Sequence, residues 1–300
     1  MAKDITVSIV IPSYNSMETI EHCLDSVLNQ STKTPYEVVL VDSSDDATPQ
    51  IIGDKYSTVK LIRLNHRTNP AQARNIGIRH SKGKLIVLID ADCVAEKDWL
   101  EMIIKTHEKE PYLIIGGPVK NYKKEDILGT VIYLIKFSEF LPKSPRRVLS
   151  FIPTCNTSYK REVFDRFGYF PIEIDCYEDV LFHRTIAANG EKTLFNPLVQ
   201  VSHINEKGWQ KFYNHLFKIG FKTAIARKLA QFLKGSFLIR FRFLIPLLFF
   251  YKLCIITTQN FRWDMKNFLF IVLFFPLVGL AILIWVYGFW KGALSRPKKI

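Results

Sequence analysis

The chain has 300 residues, is 48% hydrophobic, and carries 41 lysine and arginine residues against 28 aspartate and glutamate residues. This length suits one main domain with a smaller appendage. The five cysteines are scattered and form no CxxC pair, which argues against a disulfide framework or a thiolate zinc site and indicates a reducing compartment. The N-terminal apolar stretch ends at Pro12 and is too short for a secretory signal, so we expect the domain that follows to be cytosolic.

Short apolar runs rich in β-branched residues predict buried parallel strands. The runs are Val7–Ile11, Glu37–Val41, Val59–Leu64, Leu85–Ile89 and Leu113–Ile115. Between them, apolar residues at helical spacing predict helices at Met17–Gln30 and Ala71–His80. Because strand and helix alternate, we expect an open, doubly wound, mostly parallel α/β sheet.

Further elements are expected downstream of these runs. A broad apolar face predicts a helix at Asp126–Leu141, and the breaker-rich segment Pro142–Arg147 marks a boundary inside the domain. A helix is predicted at Glu178–Ala188, and a strand is predicted at Leu198–Val201, ending near His203.

The basic excess is concentrated after this catalytic region. Residues 204–242 carry nine basic residues against one acidic residue, Glu206. Residues 206–240 also place aromatic residues at helical spacing among the lysines, as in amphipathic helices that lie in a membrane interface. These helices could equally pack on the core of the preceding domain, although the apolar segment that follows favours the interface. The charge favours anionic lipid head groups or a phosphate-bearing acceptor over nucleic acid, for which no zinc-finger, coiled-coil or RNA-binding motif is present.

The C-terminal segment predicts a transmembrane hairpin at residues 241–290. Residues 268–290 contain no charged residue over 23 positions, enough for a helix of about 35 Å that spans a bilayer. Residues 243–258 form a shorter second span in which Lys252 would snorkel. The hairpin would return a basic tail, 291–300, to the cytosolic side of the inner (plasma) membrane.

Polar residues follow the predicted strands at their carboxyl ends, where open parallel sheets bind ligands. Asp90 and Asp92 follow the fourth strand and lie two residues apart, so in an extended chain they would share one hard cation. Magnesium or manganese there would offset charge on a departing nucleoside diphosphate. Acidic residues at a strand end are also common as solvated loop or cap residues. Neither GxGxxG nor a P-loop follows the first strand, which argues against a dinucleotide oxidoreductase or a P-loop kinase.

Five ordered segments carry a resemblance to a known family. They are Val-Ser-Ile-Val-Ile-Pro-Ser-Tyr-Asn (7–15), Val-Val-Leu-Val-Asp-Ser-Ser (38–44), Ala-Gln-Ala-Arg-Asn-Ile-Gly-Ile (71–78), Asp-Ala-Asp (90–92) and Tyr-Glu-Asp-Val (177–180). Together they resemble family 2 glycosyltransferases with the GT-A fold. The resemblance implies a catalytic domain at residues 1–205 that transfers a sugar from a nucleotide-sugar donor with inversion. UDP is favoured as the nucleotide, with GDP and dTDP close behind.

The resemblance implies roles for the donor side. Residues that would bind the nucleotide-sugar are Pro12, Tyr14, Asn15, Asp42, Arg74, Asp90 and Gly117. Among them, Asp42 would read the base edge and Arg74 would lie near the diphosphate. Asp92, assisted by Asp90, would hold Mg²⁺ or Mn²⁺. His203 is an expected further metal ligand, although a lone histidine is more often structural.

The resemblance also implies roles for the acceptor side. Asp179 would be the general base that deprotonates the acceptor hydroxyl, and Glu178 would orient it. Alternatively, Glu178 and Asp179 form the acidic first turn of a helix and complement its dipole. Asn156 and Thr157 would line the acceptor pocket, although a polar loop explains them equally well.

Several functions remain open at this level. No Gln-x-x-Arg-Trp motif is present, which favours transfer of a single sugar to a lipid-linked or membrane-proximal glycan acceptor over chain extension, in surface polysaccharide or glycolipid synthesis. A polyprenyl-phosphate sugar synthase is an alternative, but such enzymes usually continue the metal motif with Leu-Gln, where this chain has Cys93-Val94. A non-catalytic membrane-anchored nucleotide-sugar-binding scaffold would be expected to have lost Asp92 or Asp179. A transporter would need more spans.

Overall fold

The computed structural model describes residues 6–173, 176–229 and 235–295. Most of the predicted basic tail lies outside these ranges, including Arg296, Lys298 and Lys299. The chain forms two compact units, Met1–Lys120 with Ser144–Ile204, and Asn121–Lys143 with Asn205–Ile300. The segment 121–143 therefore belongs to the second unit, whereas the sequence assigns it to a catalytic domain at residues 1–205.

Strands and helices alternate through the first part of the chain, and helices alone follow the last strand. The strands are β1 (Val7–Ser13), β2 (Tyr36–Asp42), β3 (Lys60–Arg63), β4 (Leu85–Ile89), β5 (Cys93–Ala95), β6 (Ile114–Gly116), β7 (Val119–Asn121), β8 (Arg147–Leu149), β9 (Asn156–Lys160), β10 (Thr193–Phe195) and β11 (Val201–His203). The α-helices are α1 (Ile20–Leu28), α2 (Thr48–Lys55), α3 (Pro70–Arg79), α4 (Trp99–Lys109), α5 (Ile127–Phe137), α6 (Glu162–Phe167), α7 (Glu178–Ala188), α8 (Trp209–Leu229), α9 (Phe237–Arg240), α10 (Leu247–Trp263), α11 (Met265–Leu273) and α12 (Phe275–Leu294).

The first unit is built on a large sheet with strand order β3-β2-β1-β4-β9-β6-β10-β8. Its first four strands are parallel, and each of the five predicted apolar runs overlaps one of its strands. Their buried side chains form the core with helices on the sheet faces, as expected when a parallel sheet is covered on both sides. The predicted α/β class with a mostly parallel sheet is therefore confirmed.

One central strand of the large sheet was not predicted from the sequence. β9 lies between β4 and β6 and is antiparallel to both. Its sequence, Asn-Thr-Ser-Tyr-Lys, lacks the apolar residues that mark a buried strand, and it was interpreted as a polar loop. It is buried nevertheless, because its polar side chains find hydrogen-bond partners inside the protein.

A smaller sheet with order β5-β11-β7 carries His203. β5 and β11 are antiparallel, and His203 stands directly opposite Cys93. The strand predicted at Leu198–Val201 begins only at Val201. Leu198 is 60% exposed in the turn after Pro197, because the Val199 N–H donates to the Asn196 carbonyl there.

The second unit is helical. α8 and α12 pack so closely that a Cβ added at Gly220 or Gly288 would meet backbone atoms of the facing helix at 2.0 or 2.2 Å. Small residues at such positions let two helix backbones approach each other, in membranes as well as in water. α8 buries Phe212 and Leu216 while Trp209 stays 62% exposed. One face of the basic helix is thus occupied by packing within its own unit.

The predicted hairpin geometry is corrected by the structure. The apolar segment 268–290 is not one helix, since α11 ends at Leu273 and α12 begins at Phe275. Pro276 explains the break, because proline lacks the N–H and its ring blocks the carbonyl four residues earlier. Among the described residues, one helix, Phe275–Leu294, is long and apolar enough to cross a membrane, and about half of its most apolar window is buried within the protein. α10, at 17 residues with Lys252 near its start, does not meet that criterion.

Candidate active site

The predicted functional residues all lie in the first unit. β1, β2 and β4 run parallel, so their carboxyl ends lie at one edge of the sheet. Asp42 ends β2, and Asp90 follows β4 directly. Helices α3 and α7 bring further groups to this region, as the contacts of Arg74 with Asp90 and Glu178 show.

Arg74 is the centre of a buried ion triad. Its side chain on α3 is almost fully buried, and its guanidinium donates to Asp90 Oδ1 at 2.7 Å and to Glu178 Oε1 at 2.6 Å. Burial alone would lower the pKa of Arg74, but the two carboxylates raise it, so the group stays charged. Two of its three nitrogens are thus engaged by protein. The fork fixes the start of α7 relative to β4, and the position of Arg74 near the diphosphate stays a prediction.

The expectation that Asp90 and Asp92 point to one side of an extended strand is wrong. β4 ends at Ile89, and a turn follows in which the Cys93 N–H donates to the Asp90 carbonyl at 3.0 Å. The two side chains consequently take different partners. Asp90 pairs with Arg74, whereas Asp92 approaches His203.

The cluster that the fold does assemble consists of Asp92, Cys93 and His203. His203 Nε2 lies 3.2 Å from Asp92 Oδ2, and the Cys93 thiol donates to Asp92 Oδ1 at 3.6 Å. One ligand atom from each residue lies within 4.8 Å of the other two. A carboxylate and an imidazole would suit a divalent ion such as Mn²⁺. The structure thus brings the predicted ligand His203 to Asp92.

Cys93 was not foreseen as part of this cluster. Sequence spacing gave no signal, because the partner His203 is 110 positions away and reaches it only through the pairing of β5 with β11. Residues directly opposite each other in antiparallel strands carry their side chains on the same face, which is why the thiol and the imidazole meet.

Asp179 is the residue that the family resemblance predicts as the general base. It is the second residue of α7 and half-buried, and its Oδ1 accepts the Val180 N–H at 2.8 Å. Burial first, and the negative charge of Glu178 second, raise the pKa of Asp179 to about 7, against the opposing effect of Arg74. A carboxylate with a pKa near neutrality both accepts and releases a proton at physiological pH. Glu178, which is buried and held by Arg74, is placed to set that pKa.

A neighbouring histidine on the same helix was missed by the sequence analysis. His183 lies one turn after Asp179 and is buried. Its Nε2 is 2.7 Å from Tyr159 Oη, and its Nδ1 accepts the Ile152 N–H at 3.4 Å. Burial lowers the pKa of His183 to about 3, so the ring is neutral. Two residues after Ile152, the Thr154 backbone hydrogen-bonds Asp179, so His183 and Asp179 hold the same loop.

The predicted nucleoside-binding residues form one group at the ends of β1 and β2. Asp42 is fully buried, and its carboxylate accepts from Arg63 Nη1 at 2.6 Å and from Ser44 Oγ at 2.5 Å. Tyr14 is 37% exposed under Arg67, whose guanidinium carbon is 4.7 Å from the ring centroid. The Asp42 carboxylate is thus held by Arg63 and Ser44, and its reading of the base edge stays a prediction.

The loop from Pro12 to Asn15 shapes this surface. Pro12 is half-buried in β1. Asn15 has φ of 52°, and its Oδ1 accepts the Asp45 N–H at 2.9 Å. Asparagine tolerates this left-handed conformation better than most residues. These contacts join the loops that follow β1 and β2.

Three predicted residues are placed to support the backbone. Asn156 is fully buried, accepts the Trp99 Nε1–H at 2.8 Å, and donates to the carbonyls of Pro118 and Val199. Thr157 is also fully buried and donates to Pro153 O. A Cβ at Gly117 would lie 1.8 Å from Val199 O. Asn156 and Thr157 therefore do not line an acceptor pocket in this structure, and Gly117 is required by close backbone packing.

Comparison with known proteins supports the interpretation of these motifs. Residues 8–168 match the sequence model of "Glycosyl transferase family 2". Among curated relatives, glycosyltransferase AglE of Haloferax volcanii is 34% identical over 119 residues, which cover 38% of this chain and 39% of AglE. The match thus spans less than half the length of that relative.

Solved structures show the same fold. Mannosyltransferase PcManGT from Pyrobaculum calidifontis, in complex with GDP-Man and Mn²⁺, superposes with a TM-score of 0.64 at 18% identity, covering 98% of this chain and 88% of that one. Residues 1–349 of TarS from Staphylococcus aureus, in complex with UDP-GlcNAc, give 0.52 at 17% identity, covering 96% and 90%. The fold is that of GT-A glycosyltransferases, and the chain belongs to glycosyl transferase family 2.

Proposed function

We propose that this protein transfers a single sugar from a nucleotide-diphosphate sugar to a hydroxyl of a lipid-linked or membrane-proximal acceptor, with inversion. The observation that carries the proposal is Asp179, a half-buried carboxylate whose pKa is raised to about 7. Its neighbour Glu178 is ion-paired with Arg74, which also pairs with Asp90. Asp90 lies two residues before Asp92, which contacts His203.

In the proposed reaction, Asp179 accepts the proton of the acceptor hydroxyl while the hydroxyl oxygen attacks the anomeric carbon. The bond from that carbon to the diphosphate oxygen breaks, and the nucleoside diphosphate leaves from the opposite face. Glu178 keeps the pKa of Asp179 high enough for proton transfer near neutral pH. Arg74 holds Glu178 and Asp90 in place. Asp92 and His203 would hold a divalent ion, Mn²⁺ or Mg²⁺, which supplies charge stabilisation to the diphosphate.

The donor is supported at the level of its class. The two structural neighbours contain UDP-GlcNAc and GDP-Man, respectively. Tyr14 is 37% exposed, and an aromatic ring of this kind stacks with either base. UDP remains the favoured nucleotide on sequence grounds, ahead of GDP and dTDP.

Membrane attachment is proposed from the second unit. α12 is long and apolar enough to cross a bilayer, and basic side chains flank the helices of this unit. We propose that the unit anchors the protein at the inner (plasma) membrane with the catalytic unit in the cytosol, beside a lipid-linked acceptor of surface polysaccharide or glycolipid synthesis. A polyprenyl-phosphate acceptor is the second candidate, consistent with the basic charge of residues 204–242.

A donor panel tests the proposal. Detergent-purified protein is given UDP-, GDP- and dTDP-sugars with Mn²⁺ or Mg²⁺ and a membrane lipid extract, and release of nucleoside diphosphate is measured. We expect metal-dependent release from one donor, lost in Asp92→Asn and retained in the surface control Asp165→Asn. Nuclear magnetic resonance of the product should show the anomeric configuration opposite to that of the donor. Donor binding without turnover would favour the scaffold, and absence of both across the panel would contradict the proposal.

A further inference from the structure

Helices α8 and α12 of the second unit lie side by side and run in the same direction. A Cβ added at Gly288 would lie 2.2 Å from the Phe217 carbonyl oxygen. One added at Gly292 would lie 2.4 Å from the Phe221 carbonyl oxygen. A step of four residues along one helix thus matches a step of four in the same direction along the other. The two helices therefore take one common orientation relative to any membrane.

α8 carries a polar face along this pair. Its basic residues are Lys211, Lys218, Lys222, Arg227 and Lys228, and it has no acidic residue. Lys211, Asn214 and Lys218 are all exposed. They recur at spacings of three and four residues, so they share one face of the helix. We call these three residues the polar stripe.

A bilayer-spanning α12 would place the polar stripe inside the hydrocarbon layer. Gly288 is close to the middle of α12 and level with Phe217. At about 1.5 Å per residue, Lys211, Asn214 and Lys218 would then lie within about 10 Å of the bilayer centre. The hydrocarbon layer extends about 15 Å to either side of that centre. Charged side chains at this depth are costly and normally face protein or a water-filled cavity, whereas these are exposed. The pair is thus unsuited to cross a bilayer.

α12 carries an apolar stripe on the side roughly opposite Gly288 and Gly292. The stripe consists of Leu280, Leu283, Tyr287, Trp290 and Leu294, which recur at spacings of three and four residues and are each 42% or more exposed. α10 and α11 expose further large apolar side chains, such as Phe250 and Leu273. A polar face and an apolar face that both run lengthwise are typical of helices that lie in a membrane interface.

We propose that the second unit is monotopic, with α8 and α12 lying together in the plane of one leaflet. The apolar stripe enters the upper acyl chains of anionic lipids, and the polar stripe stays at their head groups. Charge complementarity selects these lipids, because α8 has five basic residues and no acidic one. The inference rests on the membrane attachment given in the proposed function. It replaces a crossing of the bilayer by an insertion about 5 to 10 Å deep.

Spin-label depth measurements test the orientation of α12. Leu283→Cys and Leu294→Cys are made separately in a Cys254→Ser chain, which lacks the exposed cysteine. Each labelled chain is bound to vesicles of phosphatidylcholine and phosphatidylglycerol, and collisions with oxygen and with a water-soluble nickel complex give the depth. Labelling of the Cys254→Ser chain alone sets the background.

We expect the two α12 labels to lie at the same depth, about 5 to 10 Å below the head groups. A label at Lys218→Cys, on the polar stripe, should remain accessible to the nickel complex. In a spanning helix, Leu283 would lie near the bilayer centre and Leu294 near its edge, a difference in depth of about 10 Å or more. Such a difference would overturn the proposal.

Vesicle flotation tests the lipid partner. Full-length protein is diluted out of detergent with vesicles of phosphatidylcholine, with or without phosphatidylglycerol. We expect flotation with the anionic vesicles, weakened by salt. Lys211→Gln combined with Lys218→Gln should weaken it by about 30-fold, at about 5-fold per basic residue at an anionic surface. Lys33→Gln combined with Lys109→Gln removes the same charge from exposed positions of the first unit and should leave binding unchanged.

Two results of this assay would overturn the proposal. One is equal flotation with both kinds of vesicle. The other is a chain that does not float but dimerises, which would assign the apolar stripe to a second copy. Neither assay contains donor or acceptor, and sugar transfer is measured in detergent, so a failure here is distinguishable from a failure of the proposed reaction.

Discussion

The ionisation of Asp179 gives a prediction that links catalysis to stability. In the folded protein, burial and Glu178 raise the pKa of Asp179 from 3.8 to about 7. Folding therefore becomes less favourable as the pH rises through this interval, because the folded state keeps a proton that the unfolded state has released. At about 1.4 kcal/mol per pKa unit, the full cost above pH 7 is about 4 kcal/mol.

Asp179→Asn removes this cost, since the amide does not ionise. From about pH 5.5 to about pH 8.5, the free energy of unfolding of the variant should gain about 2 kcal/mol relative to wild type. In detergent, thermal melts at the two pH values should show the variant's Tm gaining about 4 to 8 °C on wild type. The same variant should lose sugar transfer. A Tm difference that is independent of pH would refute the assigned ionisation, and a wild-type transfer rate would refute the role of Asp179 as the base.

Three further changes test the surrounding structure. Glu178→Gln removes the charge that raises the pKa of Asp179, so the acid limb of the pH profile of kcat/KM should move below its wild-type position; a shift to higher pH would contradict the electrostatic account. His183→Phe leaves the Ile152 N–H and the Tyr159 hydroxyl without this partner, and should cost about 1 to 3 kcal/mol and lower kcat while donor Kd is kept, with partial rescue in His183→Gln. Gly117→Ala should cost at least about 2 kcal/mol in thermal or urea unfolding, because its Cβ would lie 1.8 Å from a carbonyl oxygen, whereas Gly53→Ala, which meets nothing within 4 Å, should be neutral or stabilising.

The parallel part of the sheet could be predicted because its strands bury both faces. Such strands require continuous β-branched apolar runs, and β1 and β4 have them. β9 could not be predicted in the same way. Its Asn156 and Ser158 are buried by virtue of hydrogen bonds to Trp99 and His107, residues far away in sequence. A propensity argument does not include such long-range partners.

Residue types in the candidate site were predictable from the motifs, but their pairing was not. The turn after β4 separates Asp90 from Asp92, and two helices are needed to bring Arg74 to Asp90 and Glu178. Cys93 and Asp92 meet His203 only through the pairing of β5 with β11. The division between α11 and α12 did have a signal in the sequence, Pro276, which hydrophobicity alone does not register.

In the proposed function, Asp92 serves donor and metal binding while Asp179 serves the transfer step. The most direct test of this division is Mn²⁺-dependent binding of the nucleotide-sugar, measured by calorimetry on wild type, Asp92→Asn and Asp179→Asn under one buffer condition. We expect Asp92→Asn to lose Mn²⁺-dependent binding, and Asp179→Asn to bind with wild-type affinity without transferring sugar. Equal donor binding in Asp92→Asn and wild type, or loss of donor binding in Asp179→Asn, would contradict it.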